Sequence, residues 1–254
     1  MSEGGISHRY RRLLEVFPGS AGQIMEFIFM LTRDDRTVAD CLAVAARLAP
    51  LVDKGLSHIG FKDVGVPPAT LKQLHIGIKA MGAVSYMEVV STTTEACLTS
   101  ARVAAELGVD CLLGGTQVDA VQAILAGSAI QYYPFPGFPQ GHPTKLGGSP
   151  ADIARHCREF LHKKCAGVDL LAYRATQCDP LDMVRAARKA LVDAWLIVAG
   201  SVNSPARIAD LAKAGADAFT IGTAVLDGSF APGKGGMEEQ LGEVLAACAA
   251  AKRR

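Results

Sequence analysis

Short apolar runs recur along the chain, and longer segments with a helical repeat of apolar residues lie between most of them. Such runs, bounded by small or polar residues, are typical of buried β-strands, and a repeat of three to four residues is typical of an amphipathic helix. The runs predict eight strands: Ile24–Leu31, Ser57–Phe61, Val84–Val90, Cys111–Leu113, Ala129–Tyr133, Val168–Tyr173, Trp195–Val198 and Ala218–Ile221. The segments between them predict helices, including Val38–Leu51, Thr94–Leu107 and Pro205–Ala214.

Residues at the ends of these segments support the predicted helices. Thr93 and Ser204 stand where a side-chain oxygen caps a first turn, and Asp35 or Thr37 is expected to do so for the first helix. Gly108 follows one predicted helix and is suited to the left-handed conformation that ends it.

Eight strands alternating with helices are the element count of a single (β/α)8 barrel, the TIM-barrel fold, over residues 1–254. An open doubly wound sheet is the alternative, but no Gly-x-Gly-x-x-Gly turn follows the first strand. No linker divides the chain, which predicts one domain. Residues 1–22 are expected to form an N-terminal arm or helix that caps the bottom of the barrel.

One connection departs from this rhythm. The segment Tyr132–Pro150 holds five of the twelve prolines and four glycines, so it is not expected to form a regular helix. It follows the fifth strand and therefore lies at the C-terminal face, where barrel enzymes build active sites. We expect a lid-like loop over residues 134–150 that brings His142 and Lys145 to the substrate, with a surface insertion as the alternative.

Composition and charge narrow the range of partners. The chain has 26 Lys and Arg against 25 Asp and Glu, a net charge of +1, which argues against nucleic-acid binding. No apolar run approaches the ~18 residues of a membrane span, and the first residues lack the apolar stretch of a secretory signal. Seven cysteines without a Cys-x-x-Cys pair are typical of reduced thiols, so we expect a cytoplasmic protein.

The strongest motif follows the last two strands. Each of the segments Leu196–Arg207 and Gly215–Val225 contains a buried strand that ends in glycine and a small hydroxyl residue. Glycine lets backbone N–H groups approach an anion, and a short helix after the eighth strand would point its positive end there. Many barrels bind phosphate in these loops. The prediction is a phosphate site at the C-terminal face, with tight turns as the alternative. Its residues are Gly200, Ser201, Gly222 and Thr223.

With these motifs the chain resembles the ribulose-phosphate-binding barrel superfamily over residues 56–226. The resemblance implies a barrel that binds a phosphorylated, sugar-like substrate, and it matches no single family. Ser57–Pro67 is similar to the second strand of ribulose-phosphate 3-epimerases, in which a His and an Asp two residues later bind metal. Here Gly60 stands where that Asp belongs after His58, and Ala199 stands where the families place an acid, so no metal site is expected.

Strand alternation selects the candidate catalytic residues. Ile59 and Phe61 suit the helix-facing side of the second strand, which turns Lys62 into the barrel, and the same alternation turns Glu88 inward on the third strand. Both lie near the C-terminal strand ends, where catalytic residues gather in barrels. A catalytic role is predicted for both, with a structural ion pair as the alternative.

Two further residues are expected to bind substrate at the same face. Thr32 ends the first strand and offers a hydroxyl, and Arg174 ends the sixth strand and can clamp a carboxylate or phosphate.

These residues predict a phosphosugar-type enzyme, an isomerase, epimerase or C–C lyase that acts through an enolate-like or Schiff-base intermediate. The alternative is a non-catalytic barrel that senses a phosphorylated metabolite. Neither prediction involves a cofactor or metal. The expected partner is a small phosphorylated metabolite, together with further copies of the chain in a homo-oligomer.

Overall fold

The computed structural model describes residues 24–90, 93–141 and 143–251. Eight parallel strands form one sheet in the order β10-β11-β12-β1-β4-β5-β6-β7. Their bounds are β1 Glu26–Met30, β4 His58–Lys62, β5 Val84–Val89, β6 Cys111–Gly114, β7 Gln131–Tyr133, β10 Gly167–Leu170, β11 Trp195–Val198 and β12 Ala218–Ile221. All eight predicted strands are confirmed, whereas the predicted arm at residues 1–22 lies outside the described residues.

Backbone hydrogen bonds bring the two ends of the sheet together. The N–H of Ala166 donates to the carbonyl of Tyr132 at 3.0 Å, and the N–H of Asp169 donates to that of Pro134 at 3.1 Å. These bonds join β7 to β10 and leave a nearly closed barrel, so the predicted (β/α)8 fold is confirmed.

Helices follow the barrel strands along the chain. They are α1 Cys41–Ala46, α2 Ala49–Val52, α3 Pro68–Ala80, α4 Thr94–Leu107, α5 Val118–Leu125, α6 Pro150–His162, α7 Pro180–Leu191, α8 Pro205–Ala214, α9 Thr223–Leu226 and α10 Met237–Ala250. Thr93 and Ser204 cap α4 and α8 as predicted. The helix predicted over 38–51 is two helices, because the ring of Pro50 is accommodated only in the first turn of α2. Asp40, and neither Asp35 nor Thr37, precedes α1.

Strand alternation divides the apolar core as the sequence predicts. Ile59, Phe61 and Met87 join the large outer core between strands and helices. Tyr86 belongs to a smaller core inside the barrel. The inward side chains of the strand ends therefore meet at the C-terminal mouth.

Two short antiparallel hairpins lie at that mouth. One pairs β2 Thr32–Arg33 with β3 Arg36–Thr37, directly after β1. The other pairs β8 Phe138–Gln140 with β9 Lys145–Gly147, so the connection predicted as a loop over 134–150 contains an antiparallel hairpin. Among the described residues, none of the helices combines the length and apolar character needed to cross a bilayer.

Candidate active site

A cavity of about 510 Å³ opens at the C-terminal end of the barrel, a volume in the usual range for small-molecule sites. One side carries charged groups from the first strands, and the other carries the loops that follow β11 and β12. The lining residues include Met30, Thr32, Asp34, Asp35, Lys62, Glu88, Pro143, Leu171, Arg174, Gly200, Ser201, Val202, Asn203, Thr220, Ile221, Gly222 and Thr223.

Lys62 is the centre of the charged side. Its Nζ lies 2.7 Å from Oδ1 of Asp35 and 3.4 Å from Oε1 of Glu88. Lys62 is only 6% exposed and Glu88 5%, so both predicted side chains point inward and meet at the mouth. Their catalytic roles remain a prediction.

Arg174 joins the cluster from the opposite side of the mouth. It lies in the single 3₁₀ turn Ala172–Arg174 that follows β10. Its two terminal nitrogens donate to the two carboxylate oxygens of Asp35 at 2.9 and 2.8 Å, a bidentate pair. Asp35 therefore bridges Lys62 and Arg174 across the cavity.

Asp35 reaches this position through the β2–β3 hairpin. Asp34 and Asp35 form its two-residue turn with φ of 50° and 58°, the type I′ pattern that suits the twist of a tight hairpin. Residues other than glycine are strained at positive φ, although Asp tolerates it better than most. The hairpin thus holds a carboxylate over the barrel mouth at the expense of backbone strain.

The charges in the cluster shift one another's pKa. Burial alone would raise the pKa of Asp35, but the hydrogen bond from Arg174 and the charge of Lys62 outweigh it and lower that pKa. Burial would lower the pKa of Lys62, but the charges of Glu88 and Asp35 raise it. Lys62 is therefore held as an ammonium group. Burial also raises the pKa of Glu88, against the opposing effect of Lys62.

A third carboxyl group, that of Asp169, lies behind this cluster on β10. It is fully buried, and within the part of the chain that the structure describes neither carboxyl oxygen has a hydrogen-bond partner. Burial, followed by the charge of Glu88, raises the pKa of Asp169 well above its ordinary value.

The glycines of the predicted phosphate site have identifiable neighbours. A Cβ on Gly222 would lie 2.7 Å from Oγ1 of Thr32 and 2.8 Å from the carbonyl oxygen of Met30, so this glycine allows the β12 end to pack against β1 and β2. A Cβ on Gly200, which has φ of 78°, would overlap the side chain of Arg174. Both glycines are thus required by packing within the protein as well as lining the cavity.

The hydroxyl residues of the same loops lie at the rim. Ser201 and Thr223 are exposed and line the cavity. The predicted short helix after the eighth strand is present as α9, and it begins at Thr223.

The other predicted residues divide between two places. Thr32 and Arg174 line the cavity. Lys145 does not line it and instead borders a separate hollow of about 750 Å³ on the β8–β9 hairpin. His142 lies outside the described residues. The hairpin still reaches the mouth, since Pro143 lines the cavity and the carbonyl of Thr144 accepts from Arg174 at 3.4 Å.

Sequence reasoning missed two members of the cluster. The sequence predicts Asp35 or Thr37 as a helix cap, although two aspartates between short β-prone segments are also a signal for a tight hairpin. Asp169 stands alone between Val168 and Leu170 within an apolar run, and a lone acid on the inward side of a buried strand is a signal in its own right. Over residues 24–90, 93–141 and 143–251, no group of three or more His, Cys, Asp or Glu side chains is arranged to hold a metal ion.

Comparisons with known proteins find likeness in fold. No protein-family model matches the chain, and no curated protein matches it. A solved mandelate oxidase mutant with a monooxide FMN adduct has a TM-score of 0.55 and 16% identity over 83% of this chain and 66% of its own. Mandelate oxidase with (S)-2-phenylpropionate gives a TM-score of 0.58 and 12% identity, over 91% of this chain and 75% of its own. A mandelate oxidase mutant with (S)-mandelic acid gives a TM-score of 0.57 and 14% identity, over 89% of this chain and 71% of its own.

These neighbours confirm the TIM-barrel fold, while membership of the ribulose-phosphate-binding superfamily remains a prediction. They contradict the predicted function, because they are oxidases and the first of them carries FMN. The predicted phosphosugar isomerase, epimerase or lyase is therefore wrong, and so is the alternative sensor.

Two features of the site explain why the sequence pointed to the wrong chemistry. Glycine and hydroxyl loops suit any ligand with a phosphate, whatever its chemistry. A Schiff base needs a neutral amine, whereas Asp35 and Glu88 keep Lys62 charged.

Proposed function

We propose that this chain is an FMN-dependent oxidoreductase that acts on a small hydroxy acid. One observation carries the proposal: a single cavity at the barrel mouth has a glycine and hydroxyl rim on one side and a buried cluster of cations and carboxylates on the other. The FMN-carrying oxidases that share the fold support it.

The rim fits the phosphate of FMN. Ser201 and Thr223 offer exposed hydroxyl donors at the edge of the cavity, and α9 begins at the same point. Hydrogen bonds from such groups to an anion are stronger than those between neutral partners. Met30, Leu171 and Ile221 add apolar surface beside which a flat ring system packs.

The charged side fits both the polar edge of the flavin ring and the carboxylate of a substrate. When bound, FMN would supply the acceptor for the two electrons of the oxidation and for the hydrogen on the hydroxyl-bearing carbon of the substrate. A charge near the ring nitrogens tunes that chemistry, and Lys62 is a permanent cation in the cavity wall. Arg174 has five N–H donors, of which the contacts to Asp35 and Thr144 use three.

The residues around the substrate then have separate tasks. Arg174 binds the substrate carboxylate and orients it. Glu88 removes the proton of the substrate hydroxyl, since it is the carboxylate beside the Lys62 ammonium group. Asp35 holds the two cations in position. Pro143 and the β8–β9 hairpin limit the access of water to the mouth.

Spectroscopy of the flavin tests this function. The purified chain is loaded with FMN, freed of oxygen and mixed with a series of 2-hydroxy acids while the flavin absorbance is recorded. We expect at least one acid to bleach the flavin, and we expect Glu88→Gln to bind FMN equally but to bleach at least about 100-fold more slowly. Lack of FMN binding, or a bound flavin that no acid reduces, would overturn the proposal.

A further inference from the structure

With Asp169 included, the charged cluster has three carboxyl groups, those of Asp35, Glu88 and Asp169, and two cations, Lys62 and Arg174. Lys62 and Arg174 bring two positive charges, and both are paired with Asp35, while Lys62 also contacts Glu88. Asp169 is the remaining carboxyl. Among the described residues, none donates a hydrogen bond to either of its oxygens, although the side chain is fully buried.

Over residues 24–90, 93–141 and 143–251, the elements around Asp169 supply no counter-ion besides Lys62 and Arg174. Glu88 on β5 adds negative charge, and the positive groups that act on Asp169 are Lys62 and Arg174, which are already paired. On the adjacent strand β7 the inward titratable group is Tyr133, whose pKa is raised by burial, so its hydroxyl is neutral. On β11 the inward residue is Ile197, which is apolar.

An ionised carboxylate in these surroundings would be buried, without a hydrogen-bond donor and repelled by the charge of Glu88. Each of these conditions disfavours the charged form, and two close carboxylates in one site do not both ionise readily. With two cations present, charge balance is reached when two of the three carboxyls are ionised and the third is neutral. Asp35 and Glu88 contact the cations, so the neutral member is the one without a partner.

We propose that Asp169 holds the proton of a buried carboxyl pair with Glu88, and that it thereby leaves Glu88 as the carboxylate beside Lys62. Asp169 is then a positioning residue, because it acts on the protonation of Glu88 without contacting the substrate. The inference rests on the proposed function only where Glu88 is called the base of the reaction. The protonation pattern itself is a property of the free protein.

Infrared spectroscopy of the ligand-free protein tests the proton directly. A neutral carboxyl group has a C=O band separate from that of a carboxylate, and exchange into heavy water shifts it. We expect such a band at pH 7 in the wild-type protein and its loss in Asp169→Asn, whereas in Glu88→Gln the band should persist only to a lower pH than in the wild type. Other buried acids, such as Asp63, contribute equally to both spectra and cancel in the difference. A band lost in Glu88→Gln but kept in Asp169→Asn would give the proton to Glu88 and overturn the proposal, as would the absence of any such band.

A pH titration of the same band tests the coupling between the two groups. In Glu88→Gln the negative neighbour is gone and Lys62 is free to compensate Asp169, so Asp169 should lose its proton at a pH about one unit or more lower than in the wild type. An unchanged midpoint would make Asp169 an isolated buried acid and refute the pair. If Asp169→Asn does not fold, ¹³C labelling of aspartate carboxyls separates Asp bands from Glu bands, and the Asp band whose midpoint moves in Glu88→Gln belongs to Asp169, because Glu88 acts on Asp169 and not on Asp63. These experiments contain no flavin, so their failure is distinct from a failure to bind FMN.

Discussion

At the scale of single residues, Lys62 links the two carboxylates at the mouth. Replacing it by Met would leave Asp35 and Glu88 facing each other in a buried site without their shared cation. Removing one partner of a buried ion pair typically costs ~3–5 kcal/mol of the free energy of unfolding. We therefore expect Lys62→Met to lower that free energy by about this amount in urea unfolding.

Lys79→Met is the matched control for this substitution. Lys79 also pairs with a carboxylate, that of Asp110, but its side chain is 41% exposed. Exposed pairs contribute ~0–1 kcal/mol, so this variant should lose little stability. Equal losses in the two variants would show that the Lys62 cluster is not the buried, tightly paired site described above.

The sequence was informative about residues whose position follows from strand alternation. Lys62 and Glu88 were placed correctly because their apolar neighbours fix the inward face. Asp35 was not placed correctly, because its position depends on a two-residue turn that folds the chain back over the barrel. Asp169 is visible in the sequence as a lone acid within an apolar run, but its part in the cluster depends on the residues that the barrel brings near β10, which no local pattern gives.

At the scale of elements, the β2–β3 hairpin stores strain that a single substitution should release. Asp34 has positive φ and is exposed, whereas Asp35 makes the ion pairs. Glycine adopts positive φ without steric penalty, so Asp34→Gly should raise the free energy of unfolding by ~0.5–1 kcal/mol. Asp40→Gly is the control, because Asp40 is exposed with φ of −93° and its side chain makes no cap bond. An equal gain in the free energy of unfolding for Asp34→Gly and Asp40→Gly would show that the gain does not come from relief of strain in the β2–β3 turn.

The strands of the barrel were predictable from the sequence, and the two hairpins were not. The barrel strands are buried and appear as short, continuous apolar runs, which is why strands such as β11 and β12 were predicted with the bounds they have. The hairpin strands have two or three residues each and lie at the surface of the mouth. A segment of two or three residues at the surface has no hydrophobic repeat to detect, so the positions of the residues that it places at the mouth cannot be predicted either.

At the scale of the whole molecule, two buried groups make stability depend on pH in opposite directions. Burial lowers the pKa of His58 to about 4, so between pH 4 and its unfolded value of 6.5 the unfolded chain binds the extra proton and stability rises with pH. The pKa of Asp169 is raised, so over the same range the folded protein holds the extra proton and stability falls with pH. Each effect amounts to about 1.4 kcal/mol per pH unit at most.

Unfolding in urea from pH 4 to 6.5 separates the two effects. Relative to the wild type, Asp169→Asn should become more stable as the pH rises, because it lacks the carboxyl group whose proton stabilises the folded protein at low pH. His58→Asn should become relatively less stable over the same range. Parallel curves for all three proteins would show that neither group changes its protonation on folding.

In the proposed function, the loops after β11 and β12 hold the phosphate of FMN. Riboflavin has the same ring without that phosphate, so comparing the two ligands by quenching of flavin fluorescence isolates this contact. Hydrogen bonds to a charged group contribute ~1.5–3 kcal/mol, which corresponds to about 10–100-fold in affinity. We predict that FMN binds tighter than riboflavin by about this factor, and that Thr223→Val narrows the difference while the exposed helix control Thr99→Val keeps it. Equal affinities for FMN and riboflavin in the wild-type protein would contradict the claim.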